Sequence, residues 1–564
     1  MKSVLLLMLI FALLLSACGN TESGLSTELP SGTAAETLTQ TDAPGTEPTV
    51  PATEPPAETA FFSGSVTAGG FRVRTDVSAY APSAGSARYT RLREGPLSSF
   101  EPSADYGAVY PYQAARLFGS AEDGEAWEQG GFYGFVDGNG RILTDGIYTR
   151  IRAMSCFDYV TETTCFLPFW IVGRVKDPII HRDPEYPEYE WVEGKSLQGV
   201  VSCDGSFCLP CEYVGITPLP NCFVCYRSWD ETDFEVYDFE GRLRLTGSEL
   251  VDEGSDGWDV ENGGEYPLLL TLYRNDGDAS CWFCDLDGNR VLGPYREAER
   301  FSEGLACVST DGEHYGYIDS TGAWVLPADY AADASFVNGR ALQRLEDDTS
   351  IIIDRAGSVL LRSKANSWFY PSPCGFREDN TDDYSVTFYD RDGKELAHGG
   401  YGMECLDADT FLEQSEEQSH IFRLNGESIR FGRVDGVVPC KAVIDGQALA
   451  GYRCMSYTDE GMETRFVRQD LSEVLQLEQE PPAEGGYFIL YDTADERTNE
   501  TWYLTWDGGA WNAVNDAGEL IRVPLRCGSL TFRGERIMAL TDTACVYLDR
   551  AGEQVFSWPL DAED

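Results

Sequence analysis

The stretch FSEGLACVSTDGEHYGYIDSTGAWVLPADY, residues 301–330, contains the pattern that decides the fold. Apolar and polar residues alternate before Asp319, as a half-buried strand requires. The Asp319 carboxylate can accept hydrogen bonds from the backbone amides of a turn, and Gly322 can supply the positive φ that such a turn needs. A second strand, Trp324-Val325-Leu326, is predicted to end at Pro327, which has no amide hydrogen to donate. The stretch therefore predicts a β-hairpin.

The same pattern recurs along the chain as an apolar pair, an Asp, two variable residues and a Gly. From Asp285 the marked residue recurs at Asp319, Asp354 and Asp390, in steps of 34, 35 and 36 residues. Other copies, some with the Asp replaced, are marked by Asp137, Ser202, Asp238, Asn515 and Asp549, and weak copies lie at Arg423 and near Gln469. About eleven units lie between residues 110 and 560.

Tandem repeats of about 35 residues, each with a hairpin and one or two further short strands, predict an all-β chain. Such units form either a β-propeller, in which the sheets close into a ring, or an open, solenoid-like array. Eleven units exceed the usual number of blades, so two propellers or an open array are alternatives to a single ring. Residues 61–110 lack a clear unit, and we expect them to form a closing strand or a cap.

The quoted unit resembles the WG-repeat family (also called KWG repeats), which occurs in many bacterial surface proteins and lipoproteins. Its pattern is roughly F-S-E-G-L-A, then W-G-[YF]-I-D-x-x-G, then V-I-P and a tyrosine. Here the name-giving Trp-Gly is Tyr315-Gly316, and it is Tyr133-Gly134 in an earlier copy. The resemblance implies a β-repeat region over 61–564, with the clearest repeats at 130–400 and degenerate ones at 400–560. It implies no established activity and no catalytic residues.

The N-terminus predicts secretion and a lipid anchor. Val4 to Leu15 form an unbroken apolar run, too short to span a bilayer of about 30 Å as a helix. The run is typical of a signal peptide over 1–17, and Leu15-Ser16-Ala17-Cys18 resembles a bacterial lipobox, which implies lipidation of Cys18. An ordinary signal peptide with a chance cysteine is the alternative. Residues 18–60 are rich in Thr, Pro and Glu and lack Lys, Arg and aromatic residues, so we expect a disordered spacer.

Acidic residues dominate the charge: 94 Asp plus Glu against 42 Lys plus Arg give a net charge of −52. A surface of this sign repels nucleic acid and favours cations or basic partners, although solubility alone is a sufficient reason for it. We therefore expect no nucleic-acid partner. The chain is also rich in Tyr, Phe and Trp, whose rings can stack on sugars or peptides.

Cysteines form the sharpest candidate for a chemical site. Cys208-x-x-Cys211 and Cys222-x-x-Cys225 are two pairs of the kind that can hold zinc through four thiolates. A disulfide within this cluster is a second interpretation. In a third, these positions match strand residues of other units, where cysteine acts as a small apolar residue. Residues three apart in a strand point to opposite faces, which favours plain core thiols and no metal or other cofactor.

Other motifs favour binding over catalysis. The turns at Asp285 and Asp390 superficially resemble calcium loops, but predicted strands flank them and the further ligands of an EF-hand are missing. The sequence has four histidines and no nucleophile elbow, phosphate loop or metalloprotease motif. We predict a non-enzymatic, lipid-anchored binding or scaffolding protein on the extracytoplasmic side of the bacterial cell membrane, whose partner is a cell-surface protein, peptide or glycan. The alternative is a propeller-type glycan hydrolase, because two acids on separate blades leave no local motif.

Overall fold

A computed structural model describes most of the repeat region, namely residues 100–120, 126–144, 146–158, 163–182, 190–228, 232–252, 255–274, 278–345, 349–458, 461–476, 490–541, 544–559 and 561–562. The predictions for 1–17, for Cys18, for the spacer 18–60 and for 61–99 lie outside these residues. Within them the helical elements are a 3₁₀ turn (Ala104–Tyr106) and a single-turn helix α1 (Gly247–Leu250), and everything else that is regular is β-strand. None of the described helices is long and apolar enough to cross a membrane.

The strands form eleven sheets in the described part of the chain. Ten of them are built from consecutive antiparallel strands and are the blades of a β-propeller, which confirms the predicted fold class. The eleventh, here called the closing sheet, joins β1 (Val109–Ser120) and β2 (Ala126–Asp137) to β42 (Asp561–Ala562) near the C-terminus.

Blades 1 to 5 contain the strands between residues 150 and 362. Blade 1 has β3 (Arg150–Asp158), β4 (Thr163–Arg182), β5 (Glu190–Ser202) and β6 (Cys208–Tyr213); blade 2 has β7 (Gly215–Pro218), β8 (Cys222–Tyr226), β9 (Phe234–Asp238) and β10 (Leu243–Thr246); blade 3 has β11 (Gly257–Gly263), β12 (Tyr266–Tyr273), β13 (Ala279–Cys284) and β14 (Arg290–Tyr295); blade 4 has β15 (Glu297–Ala298), β16 (Leu305–Ser309), β17 (Tyr315–Asp319) and β18 (Trp324–Tyr330); blade 5 has β19 (Arg340–Arg344), β20 (Ser350–Asp354) and β21 (Val359–Arg362).

Blades 6 to 10 contain the strands between residues 367 and 559. Blade 6 has β22 (Ser367–Ser372), β23 (Gly375–Asn380), β24 (Ser385–Asp390) and β25 (Glu395–Gly400); blade 7 has β26 (Met403–Cys405), β27 (Thr410–Gln414), β28 (Gln418–Arg423) and β29 (Ser428–Gly432); blade 8 has β30 (Gly436–Ile444), β31 (Gln447–Thr458), β32 (Gly461–Arg468) and β33 (Val474–Gln476); blade 9 has β34 (Leu490–Ala494), β35 (Thr501–Trp506), β36 (Trp511–Asn515) and β37 (Leu520–Val523); blade 10 has β38 (Ser529–Arg533), β39 (Arg536–Leu540), β40 (Ala544–Leu548) and β41 (Gln554–Pro559).

In the four-stranded blades the two middle strands carry most of the core residues, because both faces of these strands pack against neighbouring blades. In blade 4 every residue of β16 is buried, whereas the outer strand β18 is half exposed. Blades 3 and 4 meet through Phe283 and Phe301, whose ring centroids lie 4.8 Å apart. Blades 4 and 5 meet through Tyr317, which packs with Phe336 and Ile353. The core is therefore a series of aromatic and aliphatic layers between blades rather than one central cluster.

The predicted Asp-x-x-Gly turns are confirmed. Asp319 Oδ1 accepts hydrogen bonds from the amides of Thr321 (2.9 Å) and Ala323 (3.1 Å), and Gly322 has a φ of 81°. Gly393, three residues after Asp390, has a φ of 82°. The same left-handed glycine recurs at Gly140, Gly205, Gly241, Gly288, Gly357, Gly426, Gly518 and Gly552. The periodicity found in the sequence is thus a periodicity of turns.

The expected end of the strand at Pro327 is wrong, since β18 continues to Tyr330. Tyr317 pairs with Leu326, and Tyr315 pairs with Tyr330. Two steps along β17 thus correspond to four along β18, so β18 has a bulge, and Pro327 lies in it. Pro327 is tolerated because it lies in a bulge of the outer edge strand β18, where no further strand of the blade requires the hydrogen-bond donor that proline lacks. The bulge passes so close to Gly316 that a Cβ there would lie 2.7 Å from the Pro327 carbonyl carbon, which explains the glycine of the Tyr-Gly pair.

The first and last strands close the sheets into one ring. β42 pairs in parallel with β1 through Ala115 and Asp561, and the Tyr547 hydroxyl donates to the Pro111 carbonyl. Arg497 of blade 9 also holds the ring closed, because its guanidinium donates a hydrogen bond to the Val109 carbonyl at 2.7 Å. A single closed ring therefore replaces the alternatives of two propellers or an open array.

Candidate functional site

The four zinc candidates do not come together in the fold. Cys208 and Cys211 border the core between the closing sheet and blade 1. Cys222 packs in the core between blades 2 and 3, and Cys225 packs in the core between blades 1 and 2. The two cysteines of β8 thus point to opposite faces, as predicted from strand geometry. No group of three or more His, Cys, Asp or Glu side chains among the described residues is arranged to hold a metal ion.

The acidic turns use their carboxylates internally. Asp285 Oδ1 accepts the amides of Asp287 and Asn289 at 3.0 and 2.9 Å, and Asp390 Oδ1 accepts the amides of Asp392 and Lys394 at 2.9 Å each. These bonds build the turn between the third and fourth strands of each blade. The resemblance to calcium loops is therefore accounted for by turn chemistry.

An exposed aromatic surface lies between blades 6 and 7, at the ends of the blades opposite to the Asp-x-x-Gly turns. Here it is called the aromatic groove, and it is formed by Trp368, Tyr370, Arg377, Asp379, Tyr384, Tyr401 and Glu404. Its four rings are 40%, 49%, 65% and 42% exposed in the order Trp368, Tyr370, Tyr384 and Tyr401. Large aromatic side chains with this much exposure are uncommon in a cluster, and such clusters mark contact surfaces.

The inner strand β22 places two of the rings on one face. Burial alternates along it, so that Phe369 is buried while Trp368 and Tyr370 are exposed. Their cross-strand partners in β23 are Asp379 and Arg377, which share that face. The same face of blade 6 continues outward into Val386 and Phe388, which pack against blade 7. The groove is therefore the open, inner part of the junction between these two blades.

Two tyrosines from loops complete the groove. Tyr384 lies in the turn before β24 with a φ of 56°, and Tyr401 lies between β25 and β26. Their ring centroids are 5.5 Å apart and their planes are at 89°, an edge-to-face contact. Desolvation raises the pKa of Tyr401, the nearby Asp379, Tyr370 and Tyr384 raise it further, and Arg377 opposes this shift.

Two of the charged groups of the groove pair with each other. Arg377 and Asp379 form a two-point ion pair, with Nε–Oδ1 and Nη2–Oδ2 distances of 2.5 and 3.0 Å. Burial raises the pKa of Glu404, and Arg377 opposes that shift. The groove thus combines ring faces with one Arg–Asp ion pair and a further carboxyl group. This arrangement suits a ligand with both apolar faces and hydroxyl groups.

Sequence reasoning did not find the groove, because none of its residues belongs to the repeat pattern. Tyr384 and Tyr401 meet only after blade 6 has formed. One signal was present: Trp368-Phe369-Tyr370 is a run of three aromatic residues, and in a strand at least one of them must leave the buried face.

A second feature is a carboxyl group with a shifted pKa. Glu299 lies just after β15, and Asp333, which lies just after β18, is the acidic residue that acts on it most strongly. Burial, together with Asp333, raises the pKa of Glu299 to about 7. A glycosidase uses two acids about 5–9.5 Å apart, one of which must be protonated to act as the general acid.

The family comparison agrees with the best-preserved unit. A model of the WG-containing repeat matches residues 315–345, from the start of β17 to just beyond β19. The chain contains a WG repeat. The matched segment includes Tyr315-Gly316 and the Asp319–Gly322 turn, which are the residues that carry the resemblance in the sequence. No curated protein matches the chain.

Several solved structures have some similarity to this chain at low sequence identity. BamB from Moraxella catarrhalis is 14% identical, with 54% of this chain and 98% of that chain covered and a TM-score of 0.25. The computationally designed Ika8 protein is 13% identical, with 61% and 95% covered and a TM-score of 0.24. The WD40 propeller domain of Doa1 is 12% identical, with 44% and 90% covered and a TM-score of 0.19.

Proposed function

We propose that this WG-repeat propeller is a non-catalytic binding module on the extracytoplasmic side of the bacterial cell membrane, that a lipid on Cys18 holds it there, and that the aromatic groove binds a glycan. The exposed aromatic groove is the observation that carries the proposal. A propeller of repeats suggests a binding or scaffolding module in general. The groove gives that general role a specific contact surface.

Two properties of the groove favour a glycan over the other candidate partners, a protein or a peptide, and the charge of the whole chain favours a neutral glycan. Tyr370 and Tyr401 offer ring faces to the C–H faces of a sugar. The Arg377–Asp379 pair offers donors and acceptors whose charges cancel, which suits hydroxyl groups better than charged side chains. The net charge of −52 repels acidic polysaccharides.

The test is a glycan-array screen of the full chain in detergent, followed by titration with a neutral glycan that binds. Tyr370→Ala and Tyr401→Ala should each weaken binding about tenfold, as expected for an aromatic contact at the centre of a binding surface. Tyr457→Ala is the matched control, because Tyr457 is 63% exposed but lies in blade 8, outside the groove. Equal affinities for the groove variants and the control would contradict the proposal.

The membrane anchor is tested separately by detergent-phase partitioning. Cys18→Ala should move the protein from the membrane fraction to the soluble fraction, because one acylated cysteine is the anchor that the sequence predicts. Retention of the variant in the membrane fraction would show that the anchor lies elsewhere.

A propeller-type glycan hydrolase is the second candidate, and the raised pKa of Glu299 is the observation that favours it. A carboxyl group that is half protonated near neutral pH can act as a general acid. Incubation of bound glycans with the protein distinguishes the two functions. Shortening of the glycan by the wild type but not by Glu299→Gln would support the hydrolase, and intact glycan would support the binding module.

A further inference from the structure

Two cysteines lie directly opposite each other in the first hairpin of blade 1. In the register of β3 and β4, Cys156 pairs with Cys165, and the Cys156 thiol donates a hydrogen bond to the Cys165 carbonyl oxygen at 3.7 Å. Side chains of directly opposed residues project from the same face of a sheet, so the two thiols share one side of the hairpin. Among the described strands, no other register places one cysteine opposite another.

The backbone separation at this position suits a disulfide. The Cα atoms of directly opposed residues in antiparallel strands lie about 4.5–5.5 Å apart, and a disulfide usually joins Cα atoms about 4.4–6.8 Å apart. Cys165 is exposed, whereas Cys156 is buried in the core between blades 1 and 2. Burial raises the pKa of the Cys156 thiol, and Cys165 raises it further. A reagent in solution can therefore reach Cys165 first, and Cys156 lies beside it as the second thiol.

The hairpin that carries the pair contacts two blades that are not neighbours of blade 1. Asp158 of β3 forms an ion pair with Arg300, which lies just after β15 of blade 4. The Phe166 amide in β4 donates a hydrogen bond to Asn499 Oδ1, between β34 and β35 of blade 9. One contact comes from each strand, and the cysteine pair lies between the two contacts along the hairpin. Both contacts therefore depend on the register that the cysteine pair occupies.

We propose that Cys156 and Cys165 form a disulfide across this hairpin, made by exchange with a disulfide-containing oxidant. Cys165 loses its proton, and its thiolate attacks a sulfur of the oxidant, which forms a mixed disulfide and releases one thiolate of the oxidant. Cys156 then loses its proton and attacks the Cys165 sulfur, which forms the internal S–S bond and releases the second thiolate. The pair gives up two protons and two electrons, and the two released thiolates take up the protons. The bond fixes the register of β3 on β4, and with it the contacts to blades 4 and 9.

The experiment uses the full chain, purified with reductant and then incubated with oxidised glutathione. After an acid quench the protein is unfolded, alkylated, digested with trypsin and analysed by mass spectrometry. Both cysteines fall in one tryptic peptide, residues 153–174, because no Lys or Arg lies between 153 and 173. We expect this peptide to carry no alkyl group and to have two hydrogens fewer than the dithiol form.

Two variants and an internal control accompany the wild type. Cys165→Ser should lack the disulfide, with Cys156 recovered alkylated or joined to glutathione. Thr164→Ser, at the exposed preceding residue of β4, keeps both cysteines and should form the disulfide as the wild type does. Cys454 is buried and is the one cysteine of the tryptic peptide 454–465. It should be recovered alkylated, because burial raises its pKa to about 12.

Two results would overturn the proposal. One is recovery of Cys156 and Cys165 from the oxidised wild type without a bond between them, each alkylated or joined to glutathione. The other is a disulfide that joins either residue to a different cysteine. Both are read from the wild type, so a folding defect in a variant would not obscure them. Neither involves a glycan, so the disulfide and the proposed function can fail separately.

Discussion

Blades 4 and 6 share one framework and use their aromatic residues in opposite ways. Both have four antiparallel strands and an Asp-x-x-Gly turn with a glycine φ near 80°. In blade 4, Tyr317 is fully buried, and its hydroxyl is bonded to the Ala334 carbonyl and the Gln343 amide. In blade 6, Trp368 and Tyr370 face outward into the groove. The residues of the repeat pattern therefore build the blade, and residues outside the pattern give one blade its own surface.

The largest expected difference between the two blades is in how much the free energy of unfolding falls when a tyrosine ring is removed. Tyr317→Ala should lower the free energy of unfolding by about 3–5 kcal/mol, because it leaves a cavity and two unsatisfied partners. Tyr370→Ala should change it by about 0.5 kcal/mol or less, since the ring is half exposed. Thermal melts followed by circular dichroism would measure both. Similar losses of stability would show that blade 6 also needs its exposed rings to fold.

The second prediction tests what the blades share. Gly322→Val and Gly393→Val should each lower the free energy of unfolding by about 1–2 kcal/mol or more, because a β-branched residue is strained at positive φ. Gly45→Val, in the predicted spacer, should not change the melting temperature. If the three variants have the same melting temperature, the Asp-x-x-Gly turns do not stabilise the blades.

The third prediction is a pH dependence specific to blade 4. The pKa of Glu299 is raised in the folded state, so folding favours its protonated form. That contribution is present at low pH and is lost as the pH rises through about 7. The wild type should therefore melt at a lower temperature at about pH 8 than at about pH 5, and the fall should be smaller in Glu299→Gln. Glu313→Gln, at an exposed position of the same blade, should keep the wild-type pH dependence.

Local sequence patterns predicted the strands and turns, whereas they could not predict the contacts between blades. The Asp319–Gly322 turn could be predicted because its hydrogen bonds join residues close in sequence. The end of β18 was misplaced because a bulge depends on the pairing of two strands, and Pro327 alone does not show it. The groove was missed because it forms where two different blades meet. Ring closure joins Tyr547 to Pro111 across 436 positions, and no periodicity encodes such a contact.

That closure also sets an order on assembly during synthesis. A ribosome releases the chain from its N-terminus, so each blade can pair its own strands soon after it emerges, as in other proteins with mainly local contacts. The free edge of β1, by contrast, can pair with β42 only after the end of the chain has been synthesised. The hydrogen bond from Arg497 to Val109 can form only after blade 9 has been synthesised. Until then the nascent propeller is an open arc with an unprotected strand at its beginning. An arrest of translation before blade 10 would leave that strand free to pair with another chain.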